Sequence, residues 1–220
     1  MMKTRLSYIP AFHFRWLTRW YDSILRFVYP EAVFKSALIE QAHLQPDQVV
    51  LDIGCGTGTL ILLLKHTHPE VAVVGLDVDP DVLEIARRKA EQARQTPVLQ
   101  QGAATHLPYA DGRFDRVFAS LMLHHMTRED KRQALEEAFR VLRPGGELHV
   151  ADFGNPHDPL MWLISLPIRW AEELHDNILG QLPVFMVRAG FRPVEETVRY
   201  RTVTGALVIY RACKPGGEIP

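Results

Sequence analysis

The sequence predicts an α/β fold: a doubly wound, mostly parallel seven-stranded sheet that finishes in a C-terminal antiparallel hairpin. Three observations predict it. From Val49 onward, short β-branched runs alternate with helix-like segments, the pattern of parallel βαβ units. A glycine-rich turn joins the first strand to the helix after it, as in sheets that bind ligands at the carboxyl ends of their strands. Near the end, two β-rich runs are separated only by Thr204-Gly205, a link too short for a parallel crossover.

The elements follow in order. Val49–Ile53 is a short apolar strand, and residues 57–66 read as the first helix after it. Residues 71–76 form a second β-branched run. Asp79-Pro80 then supplies a helix N-cap with proline at the first helical position, and Leu83, Ala86, Ala90 and Ala93 continue at helical spacing. Residues 97–101 are a third strand and Phe114–Ser120 a fourth. Thr127-Arg-Glu-Asp130 is a capping-box signature opening a helix through Leu142. Arg143-Pro-Gly-Gly146 reads as a turn before a fifth strand at residues 147–152. Residues 194–203 and 206–213 form the hairpin, and residues 214–220 a flexible tail.

Two segments lie outside this scheme: residues 1–45, expected to form an N-terminal helical lid, and a helical insertion at residues 154–190 within the main domain of residues 46–213. They hold all four tryptophans, Trp16, Trp20, Trp162 and Trp170. Packed surface helices and a lid walling an apolar pocket are both consistent with them.

Composition excludes several classes. The 220 residues carry 25 Lys+Arg against 26 Asp+Glu, a formal net charge of −1, with 47% hydrophobic and 23% charged residues. That is globular composition, and it argues against nucleic-acid binding by bulk charge. The most apolar runs, residues 53–64 and 159–168, are 12 and 10 residues long. A spanning helix needs about 20. Cys55 and Cys213 form no C-x-x-C pair and no disulfide framework, so a reducing, cytoplasmic setting is expected.

The strongest motif is Leu51-Asp-Ile-Gly-Cys-Gly-Thr-Gly58, with Gly54, Gly56 and Gly58 between strand and helix. Glycine lets the chain turn tightly and lets a ligand approach the main chain. Asp77 follows 19 residues after Gly58, where a carboxylate can accept both hydroxyls of a ribose. The dinucleotide fingerprint G-x-G-x-x-G would need glycine at position 59, which is Thr59. Asp52 favours a cationic group and does nothing for a pyrophosphate. S-adenosylmethionine, with an ammonium, a sulfonium and no phosphate, suits the loop better than NAD.

At these residues the sequence resembles the class I S-adenosylmethionine-dependent methyltransferases, from about Val49 to Asp152 and more loosely to the final hairpin. Three more blocks stand in order: Gly102-Ala-Ala-Thr-His-Leu-Pro108 on the adenine side, Phe114-Asp-Arg-Val-Phe-Ala-Ser-Leu-Met-Leu-His-His125, and Leu142-Arg-Pro-Gly-Gly146. The Leu-His-His turn and the Tyr21-Asp22 pair resemble the branch of quinone-biosynthesis C-methyltransferases, which some small phospholipid N-methyltransferases also resemble. The resemblance implies a Rossmann-like methyltransferase fold with S-adenosyl-L-methionine as cofactor. It implies cofactor contacts from Asp52, Gly54, Gly56, Gly58, Asp77, Val78, Ala103, Ala104 and Ser120, with Tyr21 closing over the cofactor. One position departs: where the family often has an aspartate for the adenine amino group, this chain has Ala103, leaving backbone groups of Ala103 and Ala104 for that edge.

Methyl transfer to carbon, nitrogen, oxygen or sulfur needs the acceptor held in line and water excluded, and a base only if the acceptor must lose a proton. His125, His124 and Asp152 are the candidate bases, and each also reads as a satisfied structural group. A metal site is not expected: His66 and His68 face different ways on a helix, and no carboxylate follows the fourth strand. Cys55 reads as a small filler. Residues 12–28, with Trp16, Trp20, Ile24 and Val28 on one side and Arg15, Arg19, Asp22 and Arg26 toward the other, read as a cap on the cofactor site or as an interfacial helix meeting anionic lipid. Residues 1–30 carry a net +4, which leaves −5 for the rest. The expected partner is a small-molecule acceptor, quinone-like or phospholipid-like. A non-catalytic S-adenosylmethionine-binding module and an NAD-dependent oxidoreductase are the alternatives.

Overall fold

Seven strands join in one sheet: β1 (Val49–Ile53), β2 (Ala72–Asp77), β3 (Val98–Gln101), β4 (Phe114–Ser120), β5 (Leu142–Gly154), β6 (Val194–Thr202) and β7 (Gly205–Cys213), in the order β3-β2-β1-β4-β5-β7-β6. The computed structural model describes residues 31–156, 172–202 and 205–216. The first five strands pair in parallel, with Leu51 opposite both Val74 and Val117. The last two are antiparallel, β7 lying between β5 and β6. The doubly wound sheet and closing hairpin expected from the alternation are those observed. The strand order reverses between β1 and β4, so their carboxyl ends flank the crevice where such sheets bind ligands.

Helices cover both faces. Among the described residues they are α1 (Glu31–Glu40), α2 (Thr59–Thr67), α3 (Pro80–Gln92), α4 (Arg128–Val141), α5 (Glu172–Ile178) and α6 (Leu182–Arg188). One core layer sets Phe34 and Leu38 of α1, Leu60 and Leu64 of α2 and Leu83 of α3 against Val50 and Phe118. The other sets Leu135 and Ala138 of α4 and Phe185 and Met186 of α6 against Leu51, Val117 and Val150. The signals that start the helices act as read. The Asp79 carboxylate accepts from Asp81 N–H at 2.8 Å, with Pro80 in the first turn. The Thr127 hydroxyl accepts from Asp130 N–H at 3.2 Å.

Four boundaries differ from expectation, each for a physical reason. Helix α2 starts at Thr59 rather than 57 because Gly58 sits at φ 78°, outside helical space. The expected turn at 143–146 lies within β5, whose register against β4 shifts between Phe114 and Arg116 to absorb it. Lys214 is not part of a loose tail. Its backbone exchanges hydrogen bonds with Gly145 and Gly146, both at 2.9 Å, and its ammonium reaches the Leu142 carbonyl at 2.7 Å. Of the expected N-terminal lid, residues 31–44 belong to the core, with Phe34, Leu38 and Ala42 fully buried. Residues 1–30, and with them Tyr21 and the segment 12–28, lie outside the described residues, as do Trp162 and Trp170.

Candidate active site

The site is built on the strand ends at the crevice. Where β1 runs out, Gly54 and Cys55 both donate to the Leu76 carbonyl, at 2.8 and 3.0 Å, which ties the glycine loop to β2. Asp77, at the end of β2, then holds the loop by its side chain. It accepts from Gly56 N–H at 2.8 Å and from Asp79 N–H at 3.0 Å. Burial raises the Asp77 carboxyl above its ordinary range, against these backbone donors. Gly54 is required for two reasons: its φ is +67°, and a Cβ there would lie 2.7 Å from Met122 Cβ. Gly56, at φ +53°, is the opposite case, since a Cβ there would meet nothing within 4 Å. The chain approaches open space at Gly56 and is closed by Met122 at Gly54. Gly58 completes the loop at φ +78°.

Asp52, just before the loop, is 1% exposed, and neither of its carboxylate oxygens has a hydrogen-bond partner. Burial pushes its pKa up to about 7, against the attraction of the Lys35 ammonium and with the repulsion of Asp77. A buried carboxylate without a donor costs several kcal/mol unless a cation or donor reaches it. Ser120, at the end of β4, likewise has a buried hydroxyl without a partner. Cys55 is buried, and burial and the two aspartates raise its thiol, so it is not a nucleophile.

On the β3 side, Gly102 N–H donates to the Asp77 carbonyl at 2.9 Å, bringing the block at 102–108 beside the end of β2. Ala104 is buried, Ala103 half-buried, and the Val78 carbonyl accepts from Gln101 Nε2 at 3.1 Å. Two α4 residues hold this block. Glu137 accepts from Leu107 N–H at 2.7 Å, and Arg140 donates to the carbonyls of Leu107 and Tyr109, at 3.0 and 2.7 Å.

Past β4 the chain turns through Leu121, at φ +52°, into a 3₁₀ turn, Leu123–His125. Asp152 of β5, fully buried, organises that turn. It accepts from Leu123 N–H at 2.9 Å and His124 N–H at 3.3 Å, and it pairs with His124 Nδ1 at 2.9 Å. Asn177 of α5 adds an amide donor at 3.1 Å. Burial alone would raise the Asp152 carboxyl, but His124 beside it and the surrounding donors outweigh burial and hold it below the usual range. With its acceptor sites filled, Asp152 is no free base, and His124, 8% exposed, is committed to it. His125 is different. Its ring is exposed, 4.0 Å from the His124 ring, and its pKa lies below the ordinary histidine value through partial desolvation and the His124 charge.

The structure therefore brings Asp52, Gly54, Gly56, Gly58 and Asp77 around one loop, with Ser120 at the neighbouring strand end and His124 and His125 on the turn after it. Lys35, Met122, Asn177, Glu137 and Arg140 were not singled out from sequence. Glu137 and Arg140 carried only the spacing of an ordinary helix pair, and Met122 and Asn177 act through long-range packing that no local pattern reports. Among the described residues no group of three His, Cys, Asp or Glu side chains could hold a metal ion.

A methyltransferase-domain family matches residues 50–146. Over 174 residues the chain is 35% identical to an uncharacterized methyltransferase of Synechocystis, a match spanning 76% of this chain and 77% of that one. The chain belongs to the S-adenosylmethionine-dependent methyltransferases. A demethylmenaquinone methyltransferase of Thermus thermophilus is 42% identical over 107 residues, 49% of this chain and 48% of the relative, so this methyltransferase spans about half the length of that relative. Its fold is similar to that of a phosphoethanolamine N-methyltransferase of Haemonchus contortus in complex with S-adenosyl-L-methionine. That match has a TM-score of 0.67 at 16% identity and covers 82% of this chain and 52% of that one. The site's residues fit that cofactor. The unpartnered Asp52 carboxylate suits an ammonium, Asp77 at the end of β2 suits ribose hydroxyls, and the open space over Gly56 admits a ligand to the main chain.

Proposed function

We propose that this methyltransferase carries a methyl group from S-adenosylmethionine to a small lipophilic acceptor of quinone type. The observation that carries the reading is the buried, unpartnered Asp52 carboxylate beside an open glycine loop. When bound, the cofactor supplies an electrophilic methyl group on a sulfonium. Asp52 would take its ammonium, Asp77 its ribose hydroxyls, and Val78, Ala103 and Ala104, on the β3 side, its base, with Ser120 at the end of β4 as a further contact. His125, exposed and held neutral by its low pKa, accepts a proton from the acceptor. His124 and Asp152 hold the turn that positions it. Positioning and exclusion of water supply the rest of the rate. The acceptor class is supported by the likeness to demethylmenaquinone methyltransferases. A basic, aromatic segment at residues 12–28 would meet an anionic membrane surface that holds such an acceptor.

The test is methyl transfer from labelled S-adenosylmethionine to reduced demethylmenaquinone, with phosphatidylethanolamine as the competing acceptor. Label in the naphthoquinol ring supports the reading. Label in the lipid amine replaces the acceptor class. Tight binding of S-adenosylhomocysteine with no turnover on either acceptor makes the chain a binding module. Co-sedimentation with acidic but not neutral vesicles tests the membrane contact.

A further inference from the structure

Asp52 accounts for one charge of the amino-acid end of S-adenosylmethionine and leaves its carboxylate without a partner. Around the glycine loop, Asp52 and Asp77 are both acidic, so a ligand carboxylate needs a cation placed beside them. Two lysines come near. Lys89 of α3 bonds the Thr57 hydroxyl at 2.8 Å, and no effect of its charge on Asp52 is among the causes that set that carboxyl's pKa. Lys35 of α1 lies on the Asp52 side, and its charge counters the effect of burial on the Asp52 carboxyl.

The fold explains this placement. Helix α1 ends beside the amino end of the sheet, where Arg116 of β4 lies opposite Val50 of β1. Its trailing end is tied to the start of β4 by Arg116 Nε donating to the Ala42 carbonyl at 3.1 Å. Ten residues of helix span about 15 Å and five of strand about 16 Å, so the first turn of α1 reaches the level of the strand's carboxyl end. Phe34 and Leu38, packed on Val50, Leu60 and Phe118, hold that helix face against the sheet. Lys35 is 12% exposed, and its ammonium meets Glu31 Oε1 at 2.5 Å. An ammonium has three donors, so this pairing orients Lys35 and leaves donors to spare.

We propose that Lys35 receives the carboxylate of the methionine end of the cofactor, so that Lys35 and Asp52 together read a zwitterion. This rests on the cofactor reading above. Lys35 is a binding residue from outside the glycine loop, on a helix that precedes the first strand.

Calorimetry with two ligands tests it: S-adenosylhomocysteine, and its decarboxylated analogue, which keeps the ammonium and loses the carboxylate. Wild-type protein is expected to bind the first about 10- to 100-fold more tightly, the scale of a charge-assisted contact. Measured at about pH 8.5, above the Asp52 pKa of about 7, Lys35→Met is expected to erase that preference, weakening the first ligand and leaving the second within about 2-fold, while Lys35→Arg retains most of it. Equal affinities in the wild type overturn the proposal without any variant. Equal weakening of both ligands in Lys35→Met reduces Lys35 to a packing role and also overturns it. Failure of the wild type to bind either ligand overturns the cofactor reading itself, a result distinct from loss of the preference alone.

Discussion

Asp152 and His124 are joined at 2.9 Å between Oδ1 and Nδ1, with the carboxylate fully buried. An ionised carboxylate only accepts, so His124 Nδ1 carries the proton and its tautomer is set by this contact. The same carboxylate takes the Leu123 and His124 backbone N–H groups and the Asn177 amide. Asp152→Asn would turn an NH₂ group toward a ring of donors. Loss of about 2–4 kcal/mol of stability in urea titration is expected. An Asp152→Asn protein as stable as wild type would show that the turn is held by other contacts.

His125 stands next to this unit but outside it. His125→Ala is expected to lower turnover roughly 10- to 100-fold with S-adenosylhomocysteine affinity unchanged, because its proposed work is proton transfer and not cofactor binding. Its pKa lies below the ordinary histidine value. At saturating S-adenosylmethionine the wild-type rate should therefore stay level as pH falls through the usual histidine range and drop only below it. Turnover unchanged in His125→Ala would remove the base from the mechanism.

Arg140 stands on α4, yet it holds the loop after β3. It donates to the carbonyls of Leu107 and Tyr109, and it pairs with Glu137, which itself accepts from Leu107 N–H. The Arg140 side chain is 31% exposed, so solvent screens part of the effect. Arg140→Ala should cost about 1–2 kcal/mol. It should also speed amide exchange over residues 103–112 and weaken S-adenosylhomocysteine several-fold. Arg140→Lys should not rescue, since one ammonium cannot reproduce the planar fork that reaches both carbonyls and Glu137. Exchange confined to the α4 terminus would show that the loop stands without the clasp.

These residues mark how far the sequence could be read. The parallel sheet, its hairpin and the loop from Asp52 to Gly58 were legible because they rest on local chemistry: period, caps, turn glycines and a strand-end carboxylate. Lys35, Asn177 and Arg140 were not, because each meets its partner only after distant segments pack. Asp152 and His124 were legible as candidates, but not their roles, since the carboxylate's acceptor sites are filled by groups from the 3₁₀ turn and from α5. Residues 31–44 fall within the lid expected at 1–45 because they precede the first strand, although Phe34 and Leu38 carry α1 into the core.

Asp52 yields the sharpest dependence on pH. Its folded pKa of about 7 lies above the unfolded carboxylate value near 3.9. Between those values the folded, ligand-free protein keeps a proton that the unfolded chain releases. Its stability therefore falls as pH rises from about 4 to about 7, and the full cost is present above that. Lys35 of α1 opposes the shift, while Asp77 of β2 adds to it. Asp52→Asn removes the charge, so the ligand-free variant should exceed wild type by about 1–3 kcal/mol at pH 8, with the gap closing toward pH 4. Binding should run the other way. An ammonium needs the ionised carboxylate, so wild-type affinity for S-adenosylhomocysteine should rise as pH passes upward through about 7, and Asp52→Asn should bind more weakly with a flat profile. Thermal melts and calorimetry at pH 5, 6, 7 and 8 read both arms. A variant that gains stability but keeps wild-type affinity at pH 8 would assign the ammonium to another group.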